Sequence, residues 1–144
     1  MRGSLYGEFD EGIPASLGVQ TITWVQLVQM TPEELAASAR ARVGDRPAFL
    51  TFDVDFCDPA FTPGTGTPEV GGPTSFQALS YARALADLPF VAFDVVEVAP
   101  AYDGPGQVTA LFAANLIFEM LSMVARARVG SASDGVRTPN ARPA

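Results

Sequence analysis

The chain has 144 residues, 48% of them hydrophobic and 17% charged, a length and balance that suit one globular domain and exclude an intrinsically disordered protein. Nine basic residues, all arginine, face sixteen acidic ones for a net charge of −7, which argues against a nucleic-acid backbone or an anionic membrane as partner and favours metals, amines or guanidinium compounds. Cys57 is the single cysteine and there is no histidine, so no internal disulfide forms, a reducing, cytoplasmic setting is expected, and a histidine-based nucleophilic triad is ruled out.

Taken in order, residues 1–18 carry Gly3, Gly7, Gly12, Pro14 and Gly18 and read as loop, with a strand end at most near the start. No basic stretch leads into an apolar run after Met1, so no secretory leader is expected. Residues 19–25 alternate apolar and polar side chains, many of them β-branched, and predict a strand. Thr31-Pro32-Glu33-Glu34 reads as a helix start, with a threonine cap, proline in the first turn and acids facing the helix dipole; this helix runs to about Val43 and stops at Gly44.

Residues 47–55 form a continuous apolar run and predict a second strand, one covered on both faces. After a Pro/Gly-rich loop, Thr74-Ser75-Phe76-Gln77 opens a helix to about Ala86, with Phe76, Leu79, Ala82 and Leu85 spaced to line one face. Residues 90–98 read as a third strand that also ends in acids and a proline. Val108 to about Arg128 predicts a long apolar helix, interrupted by Asn115, Glu119 and Ser122 and so read as a core helix and not a membrane span. From Gly130 the composition turns to Ser, Gly, Pro and Arg, which predicts a disordered tail over 130–144 after a folded unit over 1–129. The alternation implies an α/β fold: three or four parallel strands, right-handed crossovers and helices on both faces.

The chemistry gathers where the 47–55 run ends. Asp53-Val54-Asp55 puts two carboxylates at the carboxyl end of a strand, where open α/β sheets bind ligands. In an extended strand residues two apart share a face, about 6.6 Å between Cα atoms, so Asp53 and Asp55 can converge. Glu97, closing the neighbouring run, makes a third carboxylate available to the same crevice, an oxygen-donor set suited to Mg²⁺ or Mn²⁺. Asp58, Asp94 and Asp103 read as ordinary turn or surface acids, and Cys57 as a small core residue. The spacing fails as an EF-hand loop, because Asp58 and Gly64 stand where its glycine and glutamate belong. Gly64-Thr65-Gly66 and Gly71-Gly72 lack the Gly-Lys-Ser/Thr of a phosphate-binding loop. An Asp-x-Asp phosphatase remains an alternative, although Cys57 stands where those enzymes carry Thr or Val.

The run from Asp53-Val54-Asp55 through Phe56-Cys57-Asp58-Pro59-Ala60-Phe61-Thr62-Pro63 and Gly64-Thr65-Gly66-Thr67-Pro68-Glu69 to Gly71-Gly72 resembles the signature of the ureohydrolases, the arginase and agmatinase family. Asp94-Val95-Val96-Glu97-Val98-Ala99-Pro100, then Tyr102-Asp103 and Thr109-Ala110, resembles a further block of that family, and Arg2-Gly3-Ser4 an upstream one. The loop is more similar to agmatinases and guanidinobutyrases than to arginase itself. The resemblance spans about residues 1–128. It implies a three-layer α/β/α fold of the arginase/deacetylase kind, a site with two Mn²⁺ ions and a bridging hydroxide that attacks a guanidinium carbon, and trimeric or hexameric assembly.

By the same resemblance Asp53 would bridge both ions, Asp55 would bind one, and Glu97 would face the guanidinium of a small substrate. The family's histidine-bearing metal motifs, Gly-Gly-Asp-His and Asp-Ala-His-x-Asp, have no counterpart in these residues, and Gly104 stands where the family usually has histidine. The expectation is therefore the carboxyl-terminal part of an agmatinase-like enzyme, inactive alone and completed by a partner or further chain supplying the amino-terminal half. A non-catalytic, truncated paralogue acting as an interaction subunit is the competing expectation.

Overall fold

The computed structural model of the protein describes residues 14–134, with side chains described as far as Arg126. The expectations for the first residues, including Arg2-Gly3-Ser4, and for the tail beyond Asp134 fall outside that span. Helix α1 is Trp24–Leu27, α2 Pro32–Val43 and β1 Ala48–Asp53, followed by a 3-10 turn over Val54–Phe56. Helix α3 is Ser75–Ala84, β2 Phe90–Val96 and α4 Val108–Asp134.

Three helices start on the same local device. In α1, α2 and α3 the threonine before the helix (Thr23, Thr31, Thr74) accepts from the third helical amide, while Gln26, Glu34 or Gln77 reaches back to the threonine amide. Gly44, with φ of 60°, ends α2 as the sequence predicts. The predicted strand over 19–25 does not form. Residues 19–23 lie outside any helix or strand, and the Thr23–Gln26 capping box turns the chain into α1 at Trp24. The segment lies along α2, where Gln20 donates to Ser38 Oγ at 3.2 Å and the Arg42 guanidinium to the Gly18 carbonyl. An alternating segment becomes a strand only beside a ladder partner, and none is present among the described residues.

Strands β1 and β2 pair in parallel, Leu50 beside Phe93, Phe52 beside Val95 and Asp53 beside Val96, and among the described residues they make a two-stranded sheet in place of the three or four strands expected. Leu50, Phe52, Phe93 and Val95 turn to the helices and are half-buried. Phe52 and Val95 pack on a core of Cys57, Ala78, Ala82, Phe112, Leu116 and Met123. Edge-on ring contacts run from Trp24 to Phe56, Phe56 to Phe52 and Phe52 to Phe112 at 5.9–6.1 Å, joining α1, β1 and α4. The opposite face, Phe49 and Thr51 with Ala92 and Asp94, is exposed, Phe49 at 58%. The cover on both faces expected for the 47–55 run is thus present on one face only among the described residues.

Two smaller expectations shift. The buried face of α3 is Ala78, Tyr81 and Ala82, with the Tyr81 hydroxyl donating to the Leu27 carbonyl at 3.3 Å, while Phe76 is 75% exposed. Helix α4 runs on through Asp134, past the predicted end near Arg128. Over Val108–Arg126 it is long and apolar enough to cross a membrane, with mean hydropathy 1.8. Its buried Phe112, Leu116, Met120 and Met123 nevertheless make it a core helix of this fold.

Candidate functional site

Both strands end together, and the site residues follow from where they end. Asp53 is the last residue of β1 and Asp55 lies within the 3-10 turn, so the two do not share a strand face as the spacing suggested. The Asp53 carboxylate accepts the Asp55 amide at 3.0 Å, which bends the chain out of the sheet one residue after its last partner. The acids stay adjacent through this turn.

Glu97 follows β2 directly and is exposed, its backbone in the left-handed region at φ of 63°. That conformation is unusual for a residue with a side chain and needs support from its surroundings. The charge of Glu97 is felt at Asp53, but no three of the described acids and cysteine close into a ligand cluster, which corrects the expectation of three converging carboxylates.

Burial, together with the neighbouring Asp55 and Glu97 carboxylates, outweighs the hydrogen bond from the Asp55 amide and raises the Asp53 carboxyl from 3.8 to about 6. Asp53 and Asp55 are hard oxygen donors of the type that a divalent cation such as Mn²⁺ takes, but with the described residues alone they do not make a complete ligand set.

The loop after the turn is built around the pair. The Thr67 hydroxyl donates to Asp55 Oδ2. Asp58 acts as a loop clip, its carboxylate accepting the amides of Ala60 at 2.9 Å and Gly71 at 2.7 Å, and buried Thr62 donates to the Val54 carbonyl at 3.0 Å. Thr65 Oγ1 is buried and lacks a hydrogen-bond partner among the described residues. Asp103 accepts the amides of Thr109 at 3.3 Å and Ala110 at 3.0 Å at the start of α4. Burial alone would raise its carboxyl, but the Ala110, Thr109 and Gly104 hydrogen bonds together bring it below the usual carboxylate range. Asp94 lies on the open sheet face and Cys57 in the core. The turn reading of Asp58 and the core reading of Cys57 therefore stand, while Asp103, expected as an ordinary loop acid, caps the start of α4. Sequence reasoning missed Thr67, whose only signal was its place in a loop already weighed for phosphates.

The acidic residues thus lie at the carboxyl ends of neighbouring parallel strands, where open α/β sheets bind ligands. The arginase-family model matches residues 1–122, and the chain belongs to the arginase family. It is 44% identical over 132 residues to a guanidinopropionase from Pseudomonas aeruginosa, covering 92% of this chain and 41% of that protein. It is 49% identical over 104 residues to an agmatinase from Escherichia coli, covering 72% of this chain and 34% of that one. The crystal structure of a hypothetical agmatinase from Burkholderia thailandensis superposes with a TM-score of 0.77 at 36% identity, over 88% of this chain and 38% of that chain. The chain thus has the arginase/agmatinase fold and spans about two fifths of the length of its relatives.

Proposed function

We propose that this chain supplies the Asp53, Asp55 and Glu97 portion of the active site of a Mn²⁺-dependent amidinohydrolase that converts a linear guanidino compound to an amine and urea. The observation that carries the reading is the pair of acid-tipped parallel strands, set in a chain 44% identical to a guanidinopropionase. Asp53 and Asp55 are the metal ligands. Glu97 receives the guanidinium, a planar cation that a carboxylate can bind through paired hydrogen bonds. Held by Asp53 and Asp55, Mn²⁺ would supply the acidity that turns a bound water into a nucleophile at neutral pH. Two carboxylates do not complete the coordination of two ions, so this reading requires ligands beyond Asp53 and Asp55. The protein on this reading is a cytoplasmic homo-oligomer or works with a partner that supplies the remaining ligands.

A second reading, a non-catalytic interaction subunit, is favoured by the open apolar surfaces of the sheet and of α4, where Phe118 is 67% exposed. The phosphatase alternative loses its support with the arginase-family match.

The test is urea release from agmatine, guanidinobutyrate and guanidinopropionate with Mn²⁺, by this chain alone and by the chain joined to a segment supplying the rest of its relatives' length. No urea is expected from the chain alone, and turnover from the completed enzyme. In that enzyme Asp53→Ala should lose activity and Mn²⁺ together; full metal content in the variant would refute the ligand role. Robust turnover by the chain alone would refute the need for outside ligands. A completed enzyme that binds Mn²⁺ yet releases no urea would favour the interaction subunit.

A further inference from the structure

Gly64 sits between elements that carry the two halves of the site. Its amide donates to Thr109 Oγ1 at 2.7 Å, and its carbonyl accepts the Ala99 amide at 2.7 Å. Ala99 lies two residues beyond Glu97, whose left-handed backbone needs an external hold. Thr67, three residues beyond Gly64, donates to Asp55. The far side of the junction is fixed as well: Thr109 is fully buried, and its amide and that of Ala110 donate to the Asp103 carboxylate at the start of α4.

We propose that Gly64 is a positioning residue that registers the β1 half of the site, Asp53 and Asp55 held through Thr67, against the β2 half, Glu97 held through Ala99, with Thr109 and Asp103 as its anchor on α4. The link rests on the proposed function only for what the site does; the mechanical coupling stands without it. The position admits no side chain. A Cβ on Gly64 would lie 2.7 Å from Asp103 Cβ and 3.0 Å from Thr109 Oγ1, so any substitution must displace either the anchor or the loop. The hydrogen bonds through Gly64 form one continuous path: Ala99 amide to Gly64 carbonyl, Gly64 amide to Thr109 hydroxyl, and, at Thr109 itself, backbone amide to Asp103 carboxylate. Losing any member frees the loop at its middle, while the Asp58 clip still holds its base.

Hydrogen exchange on the metal-free 144-residue chain separates this from a mere helix cap. Thr109→Val keeps the shape and removes the acceptor of the Gly64 amide. It should speed exchange roughly tenfold at Gly64, at Ala99 and at the Asp55 amide, with α3 unchanged, and Thr109→Ser should restore wild-type rates. Faster exchange confined to Gly64 and the first turn of α4, with Asp55 and Ala99 unmoved, would overturn the proposal. Should Thr109→Val not fold, the wild-type chain tests the same link. In rising urea the Gly64, Ala99 and Asp55 amides should open in one cooperative step with a common denaturant dependence, distinct from that of α3, and independent openings would overturn the link. None of these readouts needs turnover, so an amidinohydrolase assignment that failed would leave them unaffected.

Discussion

Asp53 holds its proton more tightly in the folded chain than in the unfolded one, because burial and the Asp55 and Glu97 charges disfavour its anion. With the folded carboxyl at about 6 against 3.8, its contribution favours folding below about pH 4 and is lost as pH rises through about 6. Asp53→Asn removes that dependence. In urea titrations without metal, the stability of Asp53→Asn relative to wild type should climb between about pH 4 and about pH 6 and then level off, and a flat difference would show that Asp53 is not destabilised by its setting. The difference is the proper readout, because Glu119, held low by Arg83, and Asp103 titrate with the opposite sign. At this scale the sequence exposed what is local. Asp53, Asp55 and Glu97 stood out because acids ending apolar runs are conspicuous. Gly64 did not, because what makes it special is Thr109, 45 residues away, and Asp103, and no periodicity encodes a contact of that range.

Helix starts were readable for the same reason and strand pairing was not. The Thr31-Pro32-Glu33-Glu34 and Thr74-Ser75-Phe76-Gln77 patterns each fold within one turn, so the helices begin where the sequence places them. Thr23 carries the same box with Gln26 but follows an alternating β-branched run, and the missing ladder partner decided between the two signals. The caps differ in what they support. Helix α3 delivers Ala78, Tyr81 and Ala82 to the core, whereas α2 has no fully buried residue. Thr74→Ala should therefore lower global stability by about 1 kcal/mol, read as a shift in the urea midpoint, with Thr74→Ser close to wild type. Thr31→Ala should instead raise exchange within α2 and shift the midpoint less. An equal midpoint shift for both variants would mean that α2 unfolds only with the whole chain.

The unsatisfied surfaces of the whole molecule have a common origin. A parallel sheet is ordinarily buried on both faces, and the near-continuous apolar character of β1 is written for that setting. Here one face meets α3 and α4, while the other leaves Phe49 beside Ala92 in solvent, and with two strands neither outer edge has a ladder partner among the described residues. Helix α4 repeats the pattern, burying Phe112, Leu116 and Met120 and exposing Leu111, Phe118 and Leu121 on its other side. A helix apolar all round belongs inside a larger structure, and this chain spans about two fifths of its relatives' length. Third-layer contacts were thus implied by composition, with no described residues to make them. Exposed apolar faces with open strand edges drive association. The isolated chain should show a mass that rises with concentration in light scattering and should bind an apolar dye while folded. Replacing Phe49 and Phe118 together by lysine should shift it toward the monomer and reduce dye binding without lowering helix content, because both side chains are largely exposed already. A wild-type chain that stays monomeric and dye-silent at every concentration would overturn the expectation that these faces drive association.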